Sequence, residues 1–101
     1  MSAPTMTAPA EQRGALAELA RLRDAVEDVD ARTVALIAER VRLARAIGTV
    51  KRTLGRPTLD LRQEAAVVRR AGELARQHGL DDEAVRTLFW HLMALARRAQ
   101  G

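Results

Sequence analysis

The sequence has 101 residues and a formal charge of +4, with 48% apolar, 30% charged and only 2% aromatic residues. One domain is expected, built on an aliphatic core, and an all-β sandwich is disfavoured because strands favour aromatic and β-branched side chains. The absence of cysteine excludes disulfides, zinc-thiolate sites, iron–sulfur clusters and thiol nucleophiles, and fits a cytoplasmic setting.

A pI near 11.2 admits nucleic acid, membranes or small anions as partners. The 17 basic and 13 acidic residues are interspersed along the chain, however, so no basic tail or block stands out. The apolar stretch Val34–Ala38 is far short of the roughly 20 residues that span a bilayer. Met1–Ala10 lacks the basic cluster and apolar core of a secretory signal. A soluble, unexported protein is expected.

In chain order, residues 1–14 hold two of the three prolines and no periodic apolar face, which predicts a disordered arm before a helical domain over residues 15–101. From Leu19 an apolar series runs through Leu22, Val26, Val29, Leu36, Leu43, Ile47, Val50 and Leu54, with Thr33 and Arg40 in the missing heptad places. That spacing predicts one long amphipathic helix ending near residue 53. After the turn Gly55-Arg56-Pro57, Asp60 and Gln63 form an Asp-x-x-Gln capping box, so a second helix should begin near Leu61 and stop before Gly79. Asp81, Asp82 and Glu83 then place negative charge at the start of a third helix, whose apolar side carries Val85, Leu88, Phe89, Leu92, Leu95 and Ala96.

The expected fold is all-α, a long helix followed by two shorter ones. Residues 16–53 as helix would extend about 57 Å at 1.5 Å per residue, against a radius of gyration of about 13 Å for a compact chain of this size. The two short helices are too small to cover that stripe, so the protomers are expected to intertwine as a homodimer with the long helices paired, most simply antiparallel.

Several polar residues fall on faces that should be apolar. Arg40 occupies a heptad core place, where it reads equally well as a charge that snorkels to the surface, a partner of a local acid, or an anion ligand. Lys51 lies about 16 Å further along the axis and within about 20° of the same face, so the two long side chains can converge on one small anion. Arg23 is about 25 Å from Arg40 and a quarter turn away. It reads as a solvated charge, or as a residue completing the site of a second copy. Asp60 is explained by capping and Gln63 by the capping box, whereas Glu64 has no such duty and is free to point inward. Gln100 ends the stripe Phe89, Leu92, Ala96, Gln100, explained either by a frayed terminus or by a hydrogen-bonding role. His78 and His91 have no partner at ligand spacing, Trp90 reads as packing, and no metal motif, phosphate loop or nucleophile triad is present.

Taken together, Leu22-Arg23, Val29-Asp30, Ala38-Glu39-Arg40, Ile47-Gly48-x-x-Lys51, Pro57-x-x-Asp60-x-x-x-Glu64, His78-Gly79-Leu80, Leu88-Phe89 and Gln100 resemble, in order and spacing, the all-helical chorismate mutases. The resemblance covers residues 16–100. It implies an intertwined dimer that rearranges chorismate to prephenate with no cofactor, and with no nucleic-acid or membrane partner. It also implies that Arg40 and the other copy's Arg23 hold the substrate carboxylates, that Lys51 and Gln100 donate to the ether oxygen, and that Asp60 and Glu64 meet the ring hydroxyl.

Two positions depart from the family pattern: Gln63 stands where an arginine is usual and Ala96 where a serine is usual. Arg62 points about 100° away from Gln63 on a helix and is a poor replacement. The missing cation beside Asp60 and Glu64 would suit a substrate bearing an ammonium group, such as 4-amino-4-deoxychorismate, which makes a mutase of that compound the alternative. Glu64 argues against an isochorismate pyruvate lyase. A non-catalytic helical dimer, acting as a regulator or nucleic-acid binder, is the alternative of another class.

Overall fold

The computed structural model describes residues 3–100, and the side chains of residues 9–99. Among them are three helices and no strand: α1 (Ala3–Thr53), α2 (Leu61–Gln77) and α3 (Asp82–Gln100). No helix among the described residues is long and apolar enough to cross a membrane. The chain divides into two units, Met1–Leu36 and Ile37–Gly101.

The first unit is helix alone. It begins at Ala3 where the proline content led to a disordered arm over residues 1–14, of which Met1 and Ser2 lie outside the described residues. The physical reason is that extending an existing helix avoids the cost of nucleation. Alanine, Glu11 and Gln12 are good helix formers. Pro4 sits in the first turn, where a missing N–H is tolerated. Pro9 lies inside the helix, where it removes one backbone bond. Every described side chain from Pro9 to Leu36 is exposed. Thr33, in its heptad place, donates its hydroxyl to the Val29 carbonyl at 2.8 Å, and Arg21 pairs with Glu18 one turn away.

The second unit holds the end of α1 and the pair α2 and α3. Arg97 meets Glu64, and Arg76 meets Asp82 at 2.8 Å, so the start of α2 faces the end of α3 and the two run antiparallel. Their seam is made of small side chains. Val67, Ala71, Gly72 and Ala75 of α2 and Met93 and Ala96 of α3 are buried, and the small size of most of them lets the helices approach closely. At Gly72 the Arg86 side chain crosses the helix, and an added Cβ would collide with its guanidinium.

Local signals set each boundary. At the end of α1, Gly55 takes φ 68° and the N–H groups of Gly55 and Arg56 donate back to the carbonyls of Arg52 and Lys51 at 3.1 and 2.8 Å. At the end of α2, Gly79 takes φ 70°, and Gly79 and Leu80 donate to Arg76 and Ala75 at 3.2 and 2.8 Å. Both are Schellman stops, in which glycine adopts the left-handed conformation without a Cβ penalty. The Asp81 carboxylate accepts from the Glu83 N–H at 3.1 Å and opens α3.

Because Ala71 is only 1% exposed, Ala71→Leu must push α2 and α3 apart. It should destabilise the fold by about 1–3 kcal/mol, read as a lower urea midpoint with an unchanged slope.

Candidate active site

One cavity of about 220 Å³ lies in the second unit, between the last turns of α1, the loop before α2 and the facing sides of α2 and α3. Its floor is apolar, with Ala44, Ile47, Val67, Met93 and Ala96, and its polar wall carries Arg40, Lys51, Asp60, Gln63, Glu64 and Arg97. Five of the seven residues singled out in the sequence thus meet at one cavity.

Arg40 is half-buried. Its guanidinium carbon stands 5.5 Å from the centre of the Phe89 ring, so the π face of α3 provides part of what water no longer does. Lys51 is also half-buried and makes only a long contact of 3.5 Å to the Thr58 carbonyl. Its own carbonyl is tied by the Arg56 N–H in the α1 stop, which holds the base of the side chain at the cavity mouth. Among the described residues neither Arg40 nor Lys51 forms an ion pair.

Asp60 caps α2, its carboxylate accepting from the Gln63 N–H at 3.1 Å, while Gln63 contributes a neutral amide to the cavity wall. One turn on, Glu64 turns inward. Its side chain is 17% exposed and is paired with Arg97 of α3, as a carboxylate withdrawn from water requires.

Arg97 corrects the reading of this corner as short of a cation: the guanidinium beside Glu64 comes from α3, while position 63 carries none and Arg62 is exposed away from the cavity. The residue was overlooked although its spacing was visible. Met93, Ala96, Arg97 and Gln100 recur at i, i+3, i+4 and i+7, the signature of one helix face.

Two expected residues are not part of this cavity wall. Arg23 belongs to the first unit and is exposed. The side chain of Gln100 lies outside the described residues, although its backbone completes α3. His78, His91 and Trp90 are exposed.

Fold and cavity therefore define a small all-α protein that gathers around an apolar floor two cations outside any ion pair among the described residues, a third that is paired, and two carboxylates. The sequence model of the type II chorismate mutases matches residues 22–101, a span containing all seven expected site residues. A chorismate mutase from Methanocaldococcus jannaschii is 32% identical over 65 residues, 64% of this chain and 66% of that protein. The match thus spans just under two thirds of the relative's length. This chain belongs to the type II chorismate mutase family.

The two duties open to Asp60 separate by substitution. Asp60→Ala should lower stability by about 1 kcal/mol through loss of the cap, whereas Asp60→Asn, also a good cap, should restore most of it. Chemical denaturation of the two variants checks this, and equal losses would contradict the capping role.

Proposed function

We propose that the protein is a cytoplasmic, homodimeric chorismate mutase that converts chorismate to prephenate without a cofactor. The observation that carries this reading is the pair Arg40 and Lys51, half-buried on one cavity wall with no carboxylate to neutralise either among the described residues. Family membership supplies the substrate class.

The chemistry suits these side chains. Arg40 offers a planar fork that matches a carboxylate in two-point geometry, which lysine lacks. Holding both carboxylates of the substrate selects the folded conformer in which the reacting carbons approach. The [3,3] rearrangement breaks the ether C–O bond and forms a C–C bond in one cyclic movement of electrons, with no proton gained or lost. Negative charge grows on the ether oxygen as that bond breaks. Lys51, together with Gln100 at the end of α3, stabilises that charge more in the transition state than in the ground state. Asp60 and Glu64 meet the ring hydroxyl, and Gln63 adds an amide at the same wall.

Exposure supports the second copy. Leu19, Leu22, Val26, Val29, Leu36, Leu43, Ile47, Val50 and Leu54 of α1 and the turn after it are each 41–63% exposed in the single chain. An apolar stripe of this extent needs cover. A second α1 laid against it buries it, and would bring Arg23 of one chain to the cavity of the other, where it takes the second carboxylate.

Loss of chorismate absorbance on addition of purified protein tests the activity. Lys51→Ala should reduce kcat by about 10²–10³ and Arg40→Ala should leave no measurable turnover, both at a mass of twice 11.1 kDa by sedimentation. Rates equal to wild type would refute these roles.

Shared sites have a further consequence. Arg23→Ala and Arg40→Ala proteins, each inactive, should regain activity when mixed and allowed to exchange chains. Each mixed dimer holds one intact site, giving about a quarter of the wild-type activity at random pairing. No recovery, with exchange verified, would place Arg23 outside the site.

A further inference from the structure

The α3 arginine at the cavity wall has no part in the scheme above, and its partner gives it one. We propose that Arg97 is a specificity-determining residue, which occupies the Glu64 carboxylate and so selects substrates with a hydroxyl, against those with an ammonium group, at the position facing Glu64. The inference deepens the chorismate mutase reading and rests on it.

Three observations support it. Glu64 is the less exposed member of the pair, at 17% against 48% for Arg97, so the carboxylate is the fixed element on the wall and the guanidinium the group that satisfies it. The pair joins residues 33 apart in sequence, across the α2 and α3 seam at the cavity, so it is not an incidental contact between neighbours on one helix. The charges along the wall also matter: within one chain Arg40, Lys51 and Arg97 face Asp60 and Glu64, an excess of one positive charge to which the second copy's Arg23 would add and to which Arg97 contributes one.

A substrate with two carboxylates favours that excess. A hydroxyl still finds an acceptor in Glu64, because a carboxylate paired through one oxygen retains lone pairs on the other. An ammonium group in the same place meets a carboxylate already neutralised and a guanidinium of its own sign close by, a like-charge juxtaposition that discriminates against it. Removing Arg97 reverses both effects, since Glu64 becomes a free counter-ion and the wall loses one positive charge.

The experiment compares kcat and KM for chorismate and 4-amino-4-deoxychorismate in the wild type, Arg97→Ala, Arg97→Lys, Glu64→Gln and the Glu64→Gln/Arg97→Ala double variant. Arg97→Ala should raise KM for chorismate about tenfold, more than it lowers kcat. It should also move the ratio of kcat/KM values about tenfold toward the amino compound, a tenfold change being about 1.4 kcal/mol. Arg97→Lys should retain most of the wild-type ratio. In the Glu64→Gln background, loss of Arg97 should shift the ratio by a clearly smaller factor, because only the direct like-charge effect remains once there is no carboxylate to neutralise. An unchanged ratio in Arg97→Ala, or an equal shift with and without Glu64, overturns the role of Arg97 while wild-type turnover keeps the activity intact. Absence of chorismate turnover by the wild type refutes the activity itself, and this inference with it.

Discussion

A guanidinium drawn out of water must be met by an anion, by an aromatic face, or by both, and Arg40 has only the aromatic one. Its neighbour is the Phe89 ring at 5.5 Å, and no carboxylate approaches it among the described residues. A cation–π contact at a partly exposed site is worth about 0.5–1 kcal/mol, less than the cost of full desolvation. Arg40 therefore stays poised for an anion, supported but not neutralised. That state depends on α3 lying close enough to α1 to present Phe89. The small seam of Ala71, Gly72, Ala75 and Ala96 lets α3 pack tightly on α2, which carries Glu64 and Gln63 to the same cavity.

The acidic side of the cavity is arranged by different means. Asp60 is held by its duty at the α2 terminus and Glu64 by Arg97, so neither acid neutralises Arg40 or Lys51. Had either been free, the least costly structure would have been an internal ion pair across the cavity, and the anion site would have closed on itself. Capping and the α3 cation thus keep the two classes of charge apart, a requirement for any site that must bind carboxylates and a hydroxyl together.

Much of this was legible in the sequence where a local rule decides. Asp60, Asp81, Gly55 and Gly79 mark helix ends through bonds closed within a few residues, and α2 starts and stops where those residues place it. Arg40 was visible because it interrupts an apolar stripe at helical spacing, and Lys51 because it lies near the same face. What escaped depends on a rule not applied or on distance. The helical state of Ala3–Gly14 follows from elongation of a neighbour, which a search for amphipathic faces does not register. Arg97 is one of two basic residues in the last turn of α3, where a cation is favoured by the helix dipole whatever it faces. Its partner Glu64 stands on another helix, and sequence spacing carries no information about that pairing.

The position of the missing cation also bears on how such a site can vary. A charge opposite Glu64 can be delivered from α2, at position 63, or from α3, at position 97, because the antiparallel pairing brings the first turns of one helix beside the last turns of the other. Gln63 and Arg97 together supply one amide and one guanidinium at the wall. Counting charges along α2 and its cap alone gives an acidic corner, Asp60 and Glu64 without a cation, and points toward an ammonium-bearing substrate; counting them around the cavity does not. The substrate senses the field inside the cavity, to which every lining helix contributes. A change of residue at one wall position is therefore uninformative about substrate charge until the facing helix has been read with it.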